Sequence, residues 1–391
     1  MKGAKRSMTE RLVIEGGHRL EGVYRVQGNK NAALPLIAAS LISQKPVTLH
    51  NVPRIVDIEN LVCLLGALDV KTHWKSNSLS IDARALKEVE LSKDVVHRLR
   101  GAILLLGVLA PRMDILTCAL PGGCPIGQRS FQVHWSVFRA AGFQIEQDAE
   151  KVVIRREKQI LNPSVFLEEA SVTATENALI LFAGLGGGRI ENPAWEPHVQ
   201  SLIEFLRILG CSIEIDALSI RIGNGVDSRA VSEFLVPGDY VDAGTLAIAS
   251  AVTGGNVSID GITSDALLGV KPVLNRFGIQ IKPSQESRWT VSVLPRSSPP
   301  KVTAGPWPAF PTDLVSLAIV LATQTEGHCL IHDWMYEARM FFVDKLARMG
   351  ASVTLCDPHR VLVTGPRLLR GIHLESPDIR AGMALVVAGL C

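Results

Sequence analysis

Five short stretches of the 391-residue chain carry side chains suited to holding an anion or moving a proton. The segment LPGGCPIGQRS, Leu120 to Ser130, sets Cys124 among three glycines and two prolines, with Arg129 just beyond. Glycine opens backbone angles that other residues avoid and proline limits the path, so Cys124 is expected on a bent, exposed loop. A nearby guanidinium there favours a thiolate or a bound anion; an ordinary turn with an incidental cysteine fits the same residues. GNKNAALP puts Lys30 and Asn31 at the entry to an apolar helix. An ammonium and free helix amides can meet an anion together at such an entry, although Lys30 taken alone fits a plain charged residue before a helix better. Arg100 in HRLRGAI, Asp313 in AFPTDLVSL, and Asp378 with Arg380 in SPDIRAG recur at the same topological place. Capping and the helix dipole account for each acid taken singly. Of the other cysteines, Cys63, Cys118, Cys211, Cys329 and Cys356 lie in apolar or alternating runs and are expected in the core, while Cys391 is terminal. No Cys-x-x-Cys pair or zinc-like spacing occurs, so neither a disulfide framework nor a metal site is expected.

Charge and length bound what could position these groups. Forty basic against 38 acidic residues leave a net charge of +2, which supplies no global field for nucleic acid or an anionic membrane. Any anion must be held by local charges. The run Gly101 to Ala110 is about half of what a bilayer crossing needs. The first residues, MKGAKRSMTERLVIEGG, lack the apolar core of a secretory signal, so a cytoplasmic protein is expected. At roughly 150 residues per domain, the length suggests two domains, each with a substantial core.

A repeat organises the rest. LVCLLGALDVK, VFRAAGFQIE, FLRILGCSIEI, VLNRFGIQIK and KLARMGASVTL each read as a helix end, a glycine and an alternating strand. Their glycines, Gly66, Gly142, Gly210, Gly278 and Gly350, are spaced by 76, 68, 68 and 72 residues. Between them recur alanine-rich and leucine-rich helices with few charges, such as NAALPLIAASLIS, TENALILFAGL and DLVSLAIVLAT, apolar on nearly every face and therefore expected to be surrounded by protein. Six such helices occur but only five helix-end segments, so the repeat predicts that a complete sixth unit needs roughly thirty more residues. A unit of this size favours two compact three-unit domains over a solenoid, with ligands in the cleft between them. Aligned helices would aim the charged entries together and concentrate positive potential there.

GNKNAALP, LPGGCPIGQR, AFPTD and DIRAGMALVVAG together resemble, in order along the chain from about Leu12, the signature segments of the UDP-N-acetylglucosamine 1-carboxyvinyltransferase family of enolpyruvyl transferases. The resemblance implies an α/β (α+β) fold of two domains, an inside-out α/β barrel built from six βαβαββ units, the sixth incomplete here. The first domain would be residues 30–237, and the second residues 1–29 with 238–391. The implied reaction moves the enolpyruvyl group of phosphoenolpyruvate to the sugar's 3′-hydroxyl and releases phosphate, a step of peptidoglycan synthesis. Cys124 matches the family's proton-donating cysteine, the target of the epoxide fosfomycin, with Lys30 and Asp313 as its catalytic companions. Lys30, Asn31 and Arg129 match the phosphoenolpyruvate binders. Arg100, Arg129, Ser130, Phe131, Gln132, Val133, Ser171, Val172, Asp313 and Met335 match the nucleotide-sugar contacts, and Arg339, Asp378 and Arg380 fall on supporting positions. The family needs no metal or cofactor, and the resemblance implies no nucleic acid, membrane or obligate protein partner.

This chain departs from the family pattern at Gln132 and Glu169, where a carboxylate and a lysine are usual, and at Tyr240, where arginine is usual. A negative charge at Glu169 opposes a diphosphate. Two alternatives therefore stand beside the first reading: an enolpyruvyl transferase with a different nucleotide-type acceptor, and a noncatalytic nucleotide-sugar-binding relative.

Overall fold

The computed structural model describes residues 11–87, 96, 99–120, 122, 130–158, 160–227, 233–285, 288–294 and 297–391. Cys124 and Arg129 lie outside the described residues. Two hydrophobic cores divide the chain: one draws on Ala32 to Val236, the other on Val26 together with Tyr240 to Ala388.

Each core is built around three helices that pack on one another pairwise. In the first these are Lys30–Ser40, Leu104–Leu109 and Val172–Leu185; in the second, Tyr240–Val252, Val315–Thr323 and Ile379–Leu390. Lys30–Ser40, Val172–Leu185 and Val315–Thr323 are buried over almost their whole length, as helices without a polar face must be. Ile379–Leu390 buries Ala381, Ala384, Val387 and Ala388 and exposes Ile379 and Met383.

Among the described residues five sheets wrap these triads, and four share one topology: a strand parallel to its neighbour, followed by an antiparallel pair. Residues 164–223 trace a complete βαβαββ unit, and residues 301–365 trace another. Two units borrow their parallel strand from across the chain. Glu21–Arg25 pairs with Asn256–Asp260 of the second core, and Glu233–Leu235 pairs with Val47–His50 of the first. The connecting segments therefore cross side by side, bridged at Gly28 and Gly238. Asn29 N–H donates to the Pro237 carbonyl at 2.7 Å and Asp239 N–H to that of Gln27 at 2.9 Å.

At this crossing two helices begin, one into each core. Asn29 caps the first by accepting from Ala32 N–H at 3.0 Å, Asp239 caps the second by accepting from Val241 N–H at 2.8 Å, and the caps touch through Asn29 Nδ2 and Asp239 Oδ1 at 3.5 Å.

Four of the five repeat glycines take positive φ, but Gly66 does not: its helix runs on to Ala67, and Asp69, at φ 57°, makes the turn instead. Cys118, Cys211 and Cys329 are buried as expected, whereas Cys63 and Cys356 are exposed. Cys63 lies off the stripe of Ile58, Leu61 and Leu65 that its helix buries, and Cys356 lies at the bulge between Leu355 and Asp357, on a strand at the margin of its sheet.

Candidate active site

The starts of all six helices open onto one cavity of about 750 Å³ between the cores. Lys30 and Asn31, Arg100, Ser171 and Val172, Tyr240, Thr312 and Asp313, and Asp378 with Arg380 each bring one helix entry to its wall. The positive dipole ends of these helices add to the side chains of Lys30, Arg100, Arg339 and Arg380, and together they favour an anion beside these groups.

Asp313 is the centre of this wall. Its Oδ1 accepts from Arg339 Nη2 at 3.0 Å and its Oδ2 from Arg380 Nη2 at 2.7 Å. Burial alone would raise its pKa, but Arg380, Arg339 and Lys30 outweigh burial and hold the carboxyl well below the usual carboxylate range. Arg339 is itself 2% exposed, with its guanidinium 5.4 Å from the Tyr336 ring centroid and its Nε 3.9 Å from the fully buried Asp333. Asp333 also accepts from the Thr312 hydroxyl and the Met335 amide, so it ties the Asp313 helix entry to the segment carrying Arg339. Asp378 caps the last helix through Arg380 and Ala381 N–H at 2.8 and 3.0 Å, which presents the Arg380 side chain to Asp313.

On the first-core side, Lys30 Nζ lies 3.0 Å from Asp57 Oδ2. The Arg100 guanidinium sits over the Phe131 ring, 4.7 Å from its centroid. His134 is buried between Thr173 Oγ1, at 3.1 Å from Nε2, and Asn177 Nδ2, at 3.1 Å from Nδ1. The amide donates to Nδ1, so the proton resides on Nε2. Burial, reinforced by Arg100, pushes the His134 pKa down to about 3, and the ring is neutral.

Most residues singled out in the sequence meet here: Lys30, Asn31, Arg100, Ser130, Val133, Ser171, Val172, Asp313, Met335, Arg339, Asp378 and Arg380 all line the cavity. Phe131 and Gln132 do not line it; Phe131 underlies Arg100, and the Gln132 side chain is exposed.

Sequence reasoning passed over Glu176, Glu196, His198 and Trp307, which also line the cavity. Glu176 is 2% exposed with no partner for Oε1 among the described residues, and burial, reinforced by Glu196, raises its pKa well above the usual value. Burial raises Glu196 as well and pushes His198 down to about 4, against a smaller opposing pull from Asp313. The signal was present in TENALILF and ENPAWEPHV, where acids and a histidine interrupt apolar or proline-bounded runs.

The arrangement can bind a multiply charged anion and hold a carboxylate beside it. Among the described residues no three His, Cys, Asp or Glu side chains gather as a metal site, and no helix is long and apolar enough to cross a membrane.

Comparisons with known proteins agree with this architecture. The UDP-N-acetylglucosamine 1-carboxyvinyltransferase of Bradyrhizobium diazoefficiens is 40% identical over 388 residues, covering 97% of this chain and 90% of that protein. Those of Borreliella burgdorferi (37%; 96% and 90% covered) and Treponema pallidum (38%; 97% and 91% covered) are similarly related. Among solved structures, the enolpyruvyl transferase NikO of Streptomyces tendae superposes with a TM-score of 0.85 at 24% identity, over 96% of this chain and 90% of that one. An EPSP synthase of Acinetobacter baumannii gives 0.70 at 17%, over 97% and 91%; at these identities the likeness concerns the fold. With the profile of that family matching residues 14–391, the chain belongs to the EPSP synthase (3-phosphoshikimate 1-carboxyvinyltransferase) family.

Proposed function

We propose that this protein transfers the enolpyruvyl group of phosphoenolpyruvate to the 3′-hydroxyl of UDP-N-acetylglucosamine and releases phosphate. The observation that carries this reading is the cluster of Lys30, Arg339 and Arg380 around Asp313, with Arg100 on the wall of the same cleft. The reaction needs cations for a phosphate and a carboxylate, and a base for a hydroxyl. Relatives bearing the UDP-N-acetylglucosamine name over nearly the whole chain support the acceptor and a place in peptidoglycan synthesis. On this reading residues 30–237 form one catalytic domain, residues 1–29 with 238–391 form the other, and the enzyme works in the cytoplasm.

In the reaction a proton adds to C3 of phosphoenolpyruvate while the sugar oxygen bonds to C2 and yields its proton to a base. The C2–O bond to phosphate then breaks, its electron pair leaving with phosphate, and loss of a C3 proton restores the double bond. Cys124 supplies the C3 proton; Lys30, Asn31 and Arg129 hold the donor; Ser171 and Val172, at a helix N-terminus, receive the diphosphate. Asp313 is a weak base while two guanidinium groups hold it. The donor's phosphate and carboxylate compete for Arg380 and Arg339, which raises the basicity of Asp313 when substrate arrives.

Phosphate release from phosphoenolpyruvate tests the reading. Release should require UDP-N-acetylglucosamine and fall about a hundredfold or more in Cys124→Ser. Release absent with every acceptor overturns it. A transferase with another nucleotide-type acceptor is the second reading, favoured by Glu169, whose carboxylate shares the wall with Ser171; equal release with other nucleotides selects it.

A further inference from the structure

The floor of the cleft carries an aromatic stack that joins the two cores. His198 stands at the start of the first-core helix Pro197–Ile208, Tyr240 at the start of the second-core helix Tyr240–Val252, and Trp307 on the second-core segment leading to Asp313. The His198 and Tyr240 rings lie 6.5 Å apart and nearly parallel, at 5°, and Tyr240 meets Trp307 at 6.0 Å and 55°. Both separations fall where aromatic pairs attract. Tyr240 and His198 are each 4% exposed. A hydrogen bond runs the same way: Trp307 N–H of the second core donates to Glu196 Oε1 of the first, at 3.5 Å. The segment bridged by these contacts turns through Gly305 N–H to the Phe310 carbonyl and ends at the carboxylate facing Arg339 and Arg380.

We propose that Tyr240 is a positioning residue: held between His198 and Trp307, its ring clasps one core to the other and fixes the Trp307–Asp313 segment, and with it the Asp313 carboxylate. The ring, rather than its hydroxyl, does this. His198 takes part as a neutral imidazole, because burial pushes its pKa down to about 4. The catalytic consequence rests on the transferase reading; the clasp itself does not.

Two measurements on the full chain separate them. In hydrogen–deuterium exchange without ligand, Tyr240→Ala should speed exchange of the peptide covering residues 305–313 about tenfold, as loss of one to two aromatic pairs implies, and Tyr240→Phe should match the wild type. In phosphate release, Tyr240→Ala should lower kcat about tenfold while KM for phosphoenolpyruvate stays within about twofold, and Tyr240→Phe should restore kcat. Should Tyr240→Ala fail to fold, His198→Ala removes the facing ring from the other core and carries the same expectations. Unchanged exchange at 305–313 in the alanine variants overturns the proposal, as does a phenylalanine variant as impaired as the alanine one. A wild type that releases no phosphate sinks the transferase reading alone, because the exchange comparison still decides the clasp.

Discussion

Asp313 accepts from two guanidinium groups at once, one of them on a side chain only 2% exposed. Replacing it by asparagine keeps the shape but leaves Arg339 and Arg380 facing a neutral amide. Asp313→Asn should therefore lower phosphate release by roughly 100-fold to 10,000-fold, as loss of a general base does. It should also cost on the order of 2–3 kcal/mol in denaturant unfolding, because a buried charge loses a partner while Asp333 remains nearby. The pH sign follows from the depressed carboxyl. The stabilisation is fully present above an unfolded value of about 4 and is lost as pH falls below it, so the difference between wild type and Asp313→Asn should shrink in acid. Unfolding free energies equal at neutral pH would contradict the ion-pair account.

The helix Val172–Leu185 shows how one element can be legible in outline and misleading in detail. Its apolar composition places it in the core, where it is buried from Ala174 to Ala183. The same burial encloses Glu176, which lacks a partner for Oε1 among the described residues and lies near Glu196, so the neutral carboxyl is favoured. A raised folded value means that this group's contribution is fully present below the unfolded value of about 4.5 and is lost as pH rises through the folded one. Glu176→Gln mimics the neutral form. It should raise the melting temperature by about 1–3 °C near pH 8 and by less near pH 5. A melting temperature that is lower at both pH values would show that the ionised carboxylate is needed by the fold.

At the scale of the molecule, the crossing at Gly28 and Gly238 decides how the cores face one another. A Cβ on Gly28 would lie 1.8 Å from the Asn51 carbonyl oxygen, so the first crossing segment and the Asn51 backbone must part to admit it. Gly28→Ala should cost about 1–3 kcal/mol in denaturant unfolding and lower turnover as the cleft shifts. Gly66→Ala, at a helical position with nothing within 4 Å, should be neutral or stabilise by up to about 1 kcal/mol. Equal losses at both sites would count against a special role for the crossing. Lys30, Arg100, Asp313, Asp378 and Arg380 were legible from the sequence because a helix entry is a local event, written in a cap, a first-turn charge and an apolar run. The repeat was legible for the same reason, since periodicity and turn residues act over a few neighbours. Cys63 and Cys356 were misjudged because an apolar run does not say which face turns outward. His198, Tyr240 and Trp307 come from three separated segments, and nothing local marks them as one stack. The sequence alone determined which residues begin buried helices and how the units repeat. The repeat already pointed to a cleft that gathers the charged helix entries; only the tertiary structure decided which strand pairings close the two cores, Glu21–Arg25 with Asn256–Asp260 and Glu233–Leu235 with Val47–His50, and which side chains face one another across the cavity. Those pairings span some two hundred residues, and their free energy comes from packing whole helix triads, which no short window of sequence contains.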